Sequence, residues 1–519
     1  MFDNTLPNVI LLTDHTDPVF MQKVLGPSKV AHELRKAGYQ VVVINHLHIF
    51  SIEELFYLLK TLISNKTLFV GISSLFYRDL ENKSINDDGG TIYPFCKPGA
   101  MLPHGHGYNQ DLKQLIKDSN PNCKLVLGGP NAMDAVWNKD YDYVVCGYAD
   151  KSSVNLANHL SYNELLNKAF RSIYGFTVIN DMKAEGFDIS TSTMSYETYD
   201  GILPGESMPT EIARGCIFDC AFCSYPLNGK KKLDFIRSCE VLYNEFLENY
   251  KKHGIFRYIF SDDTFNDSIQ KVQMISEIAK RLPFQLEFWA YIRLDLLGAH
   301  PETIDLLFDS GLRGCYFGVE TWNKLTGEIV GKGLAKEKQL ETLRYIKNKW
   351  GNKIMLHGSF IVGLPEETVE TATETFNTLM SDDCPLDSWN IKGFDLENAA
   401  IKSNQFISRI GKDPARFGYK IVGEQDHLLL WENSHMDWKK ANELADNFNN
   451  NGIKSGRVKL NGLGSFNVAN LGFDLAYSIN CSVSEINWFE IYSKKQARIE
   501  EYKQKLYSEL HVTPYTDCR

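Results

Sequence analysis

The stretch ARGCIFDCAFCSYP, residues 213–226, holds three of the chain's eleven cysteines within eight positions. Cys216, Cys220 and Cys223 have the spacing C-x3-C-x2-C. A structural zinc site takes four ligands, usually as paired C-x2-C knuckles, and no fourth Cys or His lies nearby at such a spacing. A [4Fe–4S] cluster normally uses four cysteines, so three would leave one iron open to a substrate. A distorted zinc site and buried free thiols are the alternatives.

Downstream of the cysteines, strand-like and helical segments alternate from about residue 205 to 400. This alternation predicts a partial (β/α)6 barrel, whose chemistry would lie at the rim formed by the carboxyl ends of the strands. The candidate strands are TEIAR (210–214), FRYIFSD (256–262), EFWAYIR (287–293), GCYFGVE (314–320), IMLHGSFIVG (354–363) and DSWNIKGFD (387–395).

The first 155 residues show the same alternation and predict a Rossmann-like, doubly wound α/β domain with ligands at the carboxyl ends of its strands. A proline in the first turn suits a helix that begins near Pro27. The candidate strands are NVILLTD (8–14), QVVVIN (40–45), LFVGISSL (68–75), KLVLGGPNA (124–132) and, as the last of the set, DYVVCGYAD (142–150).

We expect four parts: an N-terminal domain at 1–155, a linker region at 156–204, the barrel at 205–400 and a mostly helical C-terminal domain at 401–519. The linker is polar and rich in turn residues. The last part is expected to complete the substrate pocket, with four tryptophans as candidate wall residues: Trp389, Trp431, Trp438 and Trp488.

Composition narrows the class of protein. The chain of 519 residues has 43% hydrophobic residues and a formal charge of −10, which is typical of a soluble globular protein and makes nucleic acid an improbable partner. No apolar run approaches the ~18 residues that span a bilayer, and the N-terminus lacks the basic start of a signal peptide. We therefore expect a cytoplasmic protein without a membrane partner, in which clustered cysteines bind metal.

Taken together, the cysteine spacing, the aromatic Phe222 before the last cysteine and the motifs that follow resemble the radical S-adenosylmethionine (SAM) superfamily. The resemblance covers about residues 205–400. It implies a [4Fe–4S] cluster on the three cysteines and SAM chelated to the open iron. It also implies reductive cleavage of SAM to methionine and a 5′-deoxyadenosyl radical.

The resemblance also suggests which residues contact SAM. Strand-end acids would hold the methionyl amine, polar residues after the next two strands would hold ribose or carboxylate, and GSFIVGLPEE (358–367) would pack on adenine. The implied SAM residues are Phe222, Ser261, Asp262, Asp263, Arg293, Glu320, Ile361 and Gly363. No general acid or base is identified.

The N-terminal domain resembles the cobalamin-binding domain that precedes many radical SAM domains. Glycines at strand ends let a flat ligand approach the backbone, and a helix N-terminus near Pro27 offers N–H groups to a phosphate. The D-x-H-x-x-G motif that supplies a cobalt-ligating histidine in many cobalamin domains does not occur here. The implied cobalamin residues are Thr13, Asp14, Gly26, Pro27, Ser28, Ser73, Ser74, Leu75, Gly128, Gly129, Pro130, Asn131, Gly147 and Tyr148.

The leading functional hypothesis is a cobalamin-dependent radical SAM methyltransferase that acts on an unactivated carbon. The alternatives are a radical SAM enzyme that cyclises, rearranges or oxidises without methyl transfer, a methylthiotransferase with a second cluster, and a cobalamin-sensing regulator. The expected partners are a small-molecule or peptide substrate and an electron donor such as flavodoxin or ferredoxin.

Overall fold

The computed structural model describes residues 6–14, 21–73, 106–129, 132, 141–172, 175–182, 186–225, 227–398, 407–425, 428–459 and 468–515. Four of the predicted cobalamin residues lie outside these ranges: Ser74, Leu75, Pro130 and Asn131. The described chain contains two mainly parallel sheets with helices between their strands, so the predicted α/β architecture is confirmed.

The first sheet has seven strands within the described ranges: β1 (Val9–Leu12), β2 (Val41–Ile44), β3 (Phe69–Ser73), β4 (Lys124–Gly129), β5 (Tyr143–Gly147), β6 (Ala169–Arg171) and β7 (Thr177–Asp181). Their order is β2-β1-β3-β4-β5-β7-β6, and only β6 runs antiparallel to its neighbour. Strands β1 and β2 are buried along their whole length, as expected for a sheet with helices on both faces. These helices are α1 (Leu25–Lys36), α2 (Ile52–Leu62), α3 (His106–Ser119) and α4 (Asp150–Tyr162).

Two strands of this sheet extend beyond the predicted set. The expectation that DYVVCGYAD holds the last strand is wrong, because β7 pairs in parallel with β5. Gly147, at the end of β5, lets Met182, the residue after β7, come close to its backbone. The φ of Gly147 is +89°, and a Cβ there would lie 2.6 Å from the Cα of Met182. The domain boundaries at 155 and 204 stay a prediction.

Within the described ranges the second sheet has six strands: β8 (Met208–Thr210), β9 (Arg257–Phe260), β10 (Glu287–Ile292), β11 (Leu312–Glu320), β12 (Met355–Val362) and β13 (Ser388–Gly393). Strands β9 to β13 lie where the sequence predicts them. The first prediction, TEIAR (210–214), is placed too late, because β8 ends at Thr210 and 211–214 belong to the segment that follows it. The six strands lie side by side in chain order and all pairings are parallel. The connecting helices are α5 (Cys239–His253), α6 (Ile269–Arg281), α7 (Leu294–Ala299), α8 (Glu302–Asp309), α9 (Lys324–Val330), α10 (Lys336–Trp350) and α11 (Val369–Met380). This is the topology of a partial (β/α)6 barrel.

The C-terminal part is mostly helical, as predicted, and also holds a small antiparallel sheet. That sheet has the order β14-β16-β15, with β14 at Leu396–Glu397, β15 at Lys420–Gln425 and β16 at Leu428–Glu432. The α-helices of this part are α12 (Arg409–Lys412), α13 (Trp438–Lys454), α14 (Leu475–Asn480) and α15 (Trp488–Glu509). Short 3-10 helices occur in all parts of the described chain, at Leu47–Ile49, Ile189–Thr191, Thr198–Asp200, Gly351–Lys353, Pro414–Phe417 and Val483–Glu485. No helix in the described ranges combines the length and apolarity needed to cross a bilayer.

Helix α15 returns to the first sheet. Tyr502 is fully buried within the hydrophobic core of that sheet, and its hydroxyl accepts a hydrogen bond of 3.1 Å from the backbone N–H of Asn45. Lys503 pairs with Glu54 of α2 at 2.7 Å. The last described helix therefore packs on the first domain rather than only on the barrel.

Candidate functional site

The three clustered cysteines lie on the irregular segment that follows β8. Gly215 turns the chain just before Cys216, with φ of +72°, and a Cβ there would meet the carbonyl oxygen of Leu227 at 2.6 Å. The N–H of Cys216 donates to that same carbonyl at 3.4 Å, and the N–H of Cys223 donates to the carbonyl of Cys220 at 3.0 Å. The segment thus folds back on itself and holds the three thiols on one loop, which we call the cluster loop (211–238).

Each thiol of the cluster loop contacts a polar group from a different place in the fold. Nη1 of Arg293, which directly follows β10, donates to Sγ of Cys220 at 3.4 Å. Nδ2 of Asn228 donates to Sγ of Cys223 at 3.2 Å, and Cys216 lies 3.3 Å from the hydroxyl of Thr264. Donors such as Arg293 and Asn228 stabilise negative charge on sulfur and tune a metal site, whereas the Thr264 hydroxyl accepts from the Cys216 thiol.

Burial raises the pKa of two of the thiols, those of Cys216 and Cys223. The pKa of Cys223 rises to about 11, chiefly through desolvation, and the pKa of Cys216 also rises for that reason. Such thiols keep their protons at neutral pH, and metal binding would release those protons because only thiolates ligate metal.

The thiol arrangement fits an iron–sulfur cube. Among the described residues, no three His, Cys, Asp or Glu side chains converge closely enough to hold one metal ion. A cube binds each thiolate through a different iron, so its thiolates need not converge on one point. The chemistry of the donor set is what fits: three cysteine thiols on one loop are ligands of the type that iron–sulfur clusters take.

Asp262, the first strand-end acid, is committed to the scaffold. It is 1% exposed and accepts the backbone N–H groups of Ile212 and Ala213 at 2.7 and 3.0 Å. The buried ammonium of Lys271 lies 3.1 Å from the same carboxylate. These bonds fix the chain that leads into the cluster loop, while a SAM contact by Asp262 stays a prediction.

Asp263, the second strand-end acid, is half-buried and better placed to meet a ligand. Burial, together with the neighbouring Asp262, raises the pKa of Asp263 to about 7. An ammonium group placed there would lower that pKa again, because an opposite charge favours the ionised form. The predicted contact with the methionyl amine is consistent with this environment, and Ser261 beside it is exposed.

Arg293 is bound to the cluster loop and its surroundings rather than left free for a ribose. Its guanidinium donates to Asp295 at 2.9 Å and to the carbonyl of Gly331 at 3.3 Å, in addition to its bond to Cys220. The guanidinium carbon lies 3.7 Å from the ring centre of Phe218. A direct contact between Arg293 and SAM stays a prediction, and the structure adds a contact with a cysteine that sequence reasoning missed.

Glu320 ends β11 in a left-handed conformation, with φ of +67°. A register shift between Gly318 and Glu320 turns the chain at this point. Burial raises the pKa of the Glu320 carboxyl, and the ammonium of Lys332 lies 3.7 Å away. A Cβ at Gly318 would come 2.4 Å from the Glu320 carboxylate, so the acid lies over a glycine at the rim of the barrel.

The predicted adenine-side residues lie at the end of β12. Gly363 has φ of +94°, and a Cβ there would come 2.6 Å from the Trp431 ring. Its carbonyl accepts the hydroxyl of Tyr419 at 2.6 Å. The conformation of Gly363 is therefore required by packing against the C-terminal part. Ile361 and Phe222 are half-buried against the same core.

Two of the candidate pocket tryptophans belong to this core instead. Trp389 is 2% exposed and Trp431 is fully buried, and the indole N–H of Trp431 donates to the carbonyl of Phe394 at 2.9 Å. Their burial makes them core residues, so the expectation that they line a substrate pocket is wrong.

The inner face of the barrel presents aromatic rings below small side chains. Tyr291, Tyr316 and His357 are neighbours on β10, β11 and β12, with ring centres 5.1 and 5.0 Å apart. Gly318 and Ser359 lie two positions further along β11 and β12, nearer the carboxyl ends of these strands. Tyr291 is 36% exposed. We call this row of three rings the aromatic floor.

We expect the cofactor-free protein to lose stability as the pH falls from 6.5 to about 4. Burial lowers the pKa of His357 to about 4, so between these values the unfolded chain binds a proton that the folded chain excludes. The full difference corresponds to about 3 kcal/mol of unfolding free energy. Melting temperatures across this range should fall less steeply for His357→Gln than for the parent. His32, whose pKa burial lowers to about 3, contributes to the dependence that remains in the variant.

The matched control for this measurement is His300→Gln. The His300 side chain is 44% exposed, so the variant should follow the parent curve. Coincident curves for the parent and His357→Gln would contradict the expected contribution of His357.

The predicted cobalamin residues gather at one edge of the first sheet. Thr13 and Asp14 follow β1, Ser73 ends β3, and glycines end β4 and β5. β1 has β2 on one side and β3 on the other, which makes this edge a topological switch point, where doubly wound sheets bind ligands.

The remaining predicted cobalamin residues are beside this edge, and two have other contacts. Gly26, Pro27 and Ser28 lie in the first turn of α1, which begins at Leu25. The hydroxyl of Ser28 donates to the carbonyl of Val24 at 3.1 Å. Gly128 and Gly129 end β4, and Tyr148 follows Gly147 beneath the guanidinium of Arg214 at 4.5 Å. Cobalamin contacts by these residues stay a prediction.

Sequence reasoning missed several polar residues of the site: Arg214, Lys271, Thr264, Asn228, Asp150 and Glu211. Asp150 and Arg214 are 64 positions apart and meet only in the fold. The one local signal is Arg214, which lies two positions before the first clustered cysteine.

The chain is similar in sequence to proteins named as a methyltransferase and as a cyclase. An uncharacterized methyltransferase of Pyrococcus horikoshii is 24% identical over 282 residues, which are 50% of this chain and 59% of that protein. The anaerobic magnesium-protoporphyrin IX monomethyl ester cyclase of Cereibacter sphaeroides is 24% identical over 322 residues, 56% of this chain and 50% of the cyclase. The matched part of the chain therefore spans about half the length of these curated relatives.

Two solved structures share the overall fold. TsrM from Kitasatospora setae is a radical S-adenosylmethionine methyltransferase solved with cobalamin and a [4Fe–4S] cluster bound. It has a TM-score of 0.64 at 16% identity, covering 95% of this chain and 100% of that chain. The cobalamin-dependent S-adenosylmethionine radical enzyme OxsB, solved with aqua-cobalamin, has a TM-score of 0.56 at 14% identity, covering 99% of this chain and 82% of that chain.

The family comparison identifies the central part of the chain. Residues 210–379 match the Radical SAM superfamily, and this range begins at the end of β8 and contains the three clustered cysteines. The matched range contains the C-x3-C-x2-C loop and strands β9 to β12 of the barrel. The chain therefore carries a radical SAM domain at residues 210–379.

Proposed function

We propose that this chain is a cobalamin-dependent radical SAM enzyme that methylates an unactivated carbon. One observation carries the proposal. The loop with three thiols lies at the carboxyl end of the barrel and is joined, through Arg214 and Asp150 at 2.7 Å, to the strand-end edge of the first sheet. The two edges that would bind the cofactors are thus linked by a contact of buried side chains.

In this proposal the bound cluster supplies the electron that cleaves SAM, and bound cobalamin supplies the methyl group. The chain's own residues bind and orient these groups. Cys216, Cys220 and Cys223 would hold the cluster, and Asp263 would receive the methionyl amine of SAM. The switch-point edge near Thr13, Ser73 and Gly128 would hold the cobalamin.

The aromatic floor would limit access of water from below. In this proposal Tyr291 and Tyr316 would close the barrel beneath the rim, and a substrate would lie between this floor and the first sheet. Exclusion of water protects reactive species from side reactions. A flavodoxin or ferredoxin would deliver the electron, and the substrate would be a small molecule or a peptide.

The experiment is anaerobic reconstitution with iron, sulfide and hydroxocobalamin. We expect about four irons per chain, bound cobalamin in the absorption spectrum, and 5′-deoxyadenosine after reduction in the presence of SAM. SAM carrying a labelled methyl group should then transfer the label to a compound in an extract of the source cells. About eight irons per chain would instead indicate a methylthiotransferase. A reduced protein that cannot cleave SAM would indicate a regulator.

A second candidate function keeps SAM cleavage but transfers no methyl group. The relative named as a monomethyl ester cyclase favours it, because that name describes ring closure. The labelled-methyl experiment separates the two candidates. A product that changes mass without gaining the label would support ring formation or oxidation and contradict methyl transfer.

A further inference from the structure

Arg214 lies two positions before the first clustered cysteine and is 5% exposed. Its guanidinium makes four hydrogen bonds to two carboxylates. It donates to Asp150 at 2.7 and 2.9 Å and to Glu211 at 2.7 and 2.9 Å. All the oxygens of both acids are thereby engaged by one planar fork, an arrangement for which arginine is suited and lysine is not.

The two acids come from different parts of the fold. Asp150 is the first residue of α4, directly after the β5 edge, and Glu211 directly follows β8. The ring of Tyr148 lies 4.5 Å from the guanidinium carbon. Arg214 thus joins the strand-end edge of the first sheet to the start of the cluster loop.

A second tie holds the far end of the same loop. Arg237 donates to the carbonyl of Glu211 at 2.9 Å and to the carbonyl of Ser192 at 2.7 Å. Lys29 of α1 donates to the next carbonyl, that of Thr193, at 2.8 Å. Arg237 also ion-pairs with Glu245, which is fully buried. Both ends of the cluster loop are therefore anchored towards the first sheet.

In the part of the chain that the structure describes, the side-chain hydrogen bonds of Arg214 go to Asp150 and Glu211 and not to the cluster thiols. Their polar neighbours are Thr264, Arg293 and Asn228. Buried ion pairs often add little stability compared with well-packed apolar side chains. Arg214 bridges the cluster loop and the strand-end edge of the first sheet without bonding to the thiols. Its main effect is therefore expected on the position of the cluster loop relative to that edge.

We propose that Arg214 is a positioning residue that sets the placement of the cluster loop relative to the Gly147–Asp150 edge. This inference rests on the proposed function, in which that edge carries cobalamin. Arg214 would then fix the separation and orientation of the cluster and the cobalamin, without ligating either of them.

The first test uses the protein without cofactors, so it does not depend on the proposed function. Arg214→Lys keeps the charge but cannot bond both carboxylates in the same way. We expect backbone amides at 148–152 and 214–217 to exchange hydrogen about tenfold faster, because local opening governs exchange there. Asp150→Asn changes the other side of the contact and should speed exchange in the same two segments.

The matched control is Arg35→Lys. Arg35 makes an equivalent buried pair with Asp200, at 2.9 and 2.7 Å, but belongs to α1 and lies away from the cluster loop in the chain. Its replacement should leave exchange at 148–152 and 214–217 unchanged. Unchanged exchange in Arg214→Lys and Asp150→Asn would overturn the proposal.

The second test uses the reconstituted protein and needs no substrate. Reduced cluster and cob(II)alamin are both paramagnetic, so their magnetic interaction reports their separation and orientation. We expect Arg214→Lys to keep its iron and cobalamin content but to change that interaction, while Arg35→Lys matches the parent. Loss of iron in Arg214→Lys would show a role in cluster assembly and overturn positioning. If the parent binds no cobalamin, the proposed function fails. The hydrogen-exchange result would still show whether Arg214 positions the cluster loop relative to the Gly147–Asp150 edge.

Discussion

Replacing Cys220 by alanine is expected to abolish SAM cleavage. A ligand thiolate is lost, and the remaining two cysteines cannot hold a cube that already has one open iron. We expect 5′-deoxyadenosine formation to fall by about a thousandfold or more, well beyond the 10–100-fold that loss of an outer-shell partner costs. The measurement is 5′-deoxyadenosine released by the reduced, reconstituted protein, together with iron and sulfide per chain.

Two comparisons make this result specific. Cys315→Ala removes a thiol that is 1% exposed on β11, and this variant should keep its iron and its cleavage rate. Asn228→Leu removes the donor 3.2 Å from Cys223 but no ligand, so an intermediate loss is expected. A Cys220→Ala protein with four irons and normal cleavage would refute the assignment, as would zinc in the anaerobically purified parent.

Cobalamin binding should survive the loss of the cluster ligand. The predicted cobalamin edge is formed by strands of the first sheet, whereas Cys220 belongs to the loop after β8. Bound cobalamin in Cys220→Ala would show that the two sites load independently. A variant that loses both cofactors would instead indicate that the cluster loop supports the first domain.

Local patterns predicted the elements that carry the chemistry. The strands of the barrel are apolar runs separated by helical periodicity, and β9 to β13 were located from sequence alone. The first strand was misplaced, since β8 ends at Thr210, where the predicted TEIAR strand begins. The C-x3-C-x2-C loop was also located, since its spacing is local. Structure was required where a segment is short, as in AFR (169–171) and TVIND (177–181), which join the first sheet as β6 and β7.

Contacts between distant parts of the chain were beyond local patterns. The charged helix α15 is readable as a helix, but its packing on the first sheet depends on Tyr502 meeting the backbone of Asn45. Arg293 was expected to face a ligand because it ends a strand, and its bond to Cys220 follows from the neighbouring position of the cluster loop. In both cases the residue can be identified from its own stretch of sequence. Its partner lies far away in the chain and is brought close only by the fold.

Gly311→Ala is expected to be the most damaging single change outside the cluster ligands. Gly311 precedes β11 with φ of +111°, and a Cβ there would lie 1.9 Å from the carbonyl oxygen of Leu286. Its own carbonyl accepts the N–H of Phe288 on β10 at 2.8 Å, so the two backbones cannot separate without losing the pairing. Strain and overpacking together should cost about 3–5 kcal/mol.

Gly254→Ala is the control that has an unfavourable backbone conformation but no steric clash. Gly254 ends α5 with φ of +70° and has no atom within 4 Å of the added Cβ, so its replacement should cost about 1 kcal/mol. Melting temperatures should therefore fall far more for Gly311→Ala than for Gly254→Ala. Because β10 leads directly into Arg293, the Gly311 variant should also reconstitute with less iron. Equal melting temperatures for the two variants would show that the β10–β11 backbone can yield, and the rim built on it would then be less rigid than the site requires.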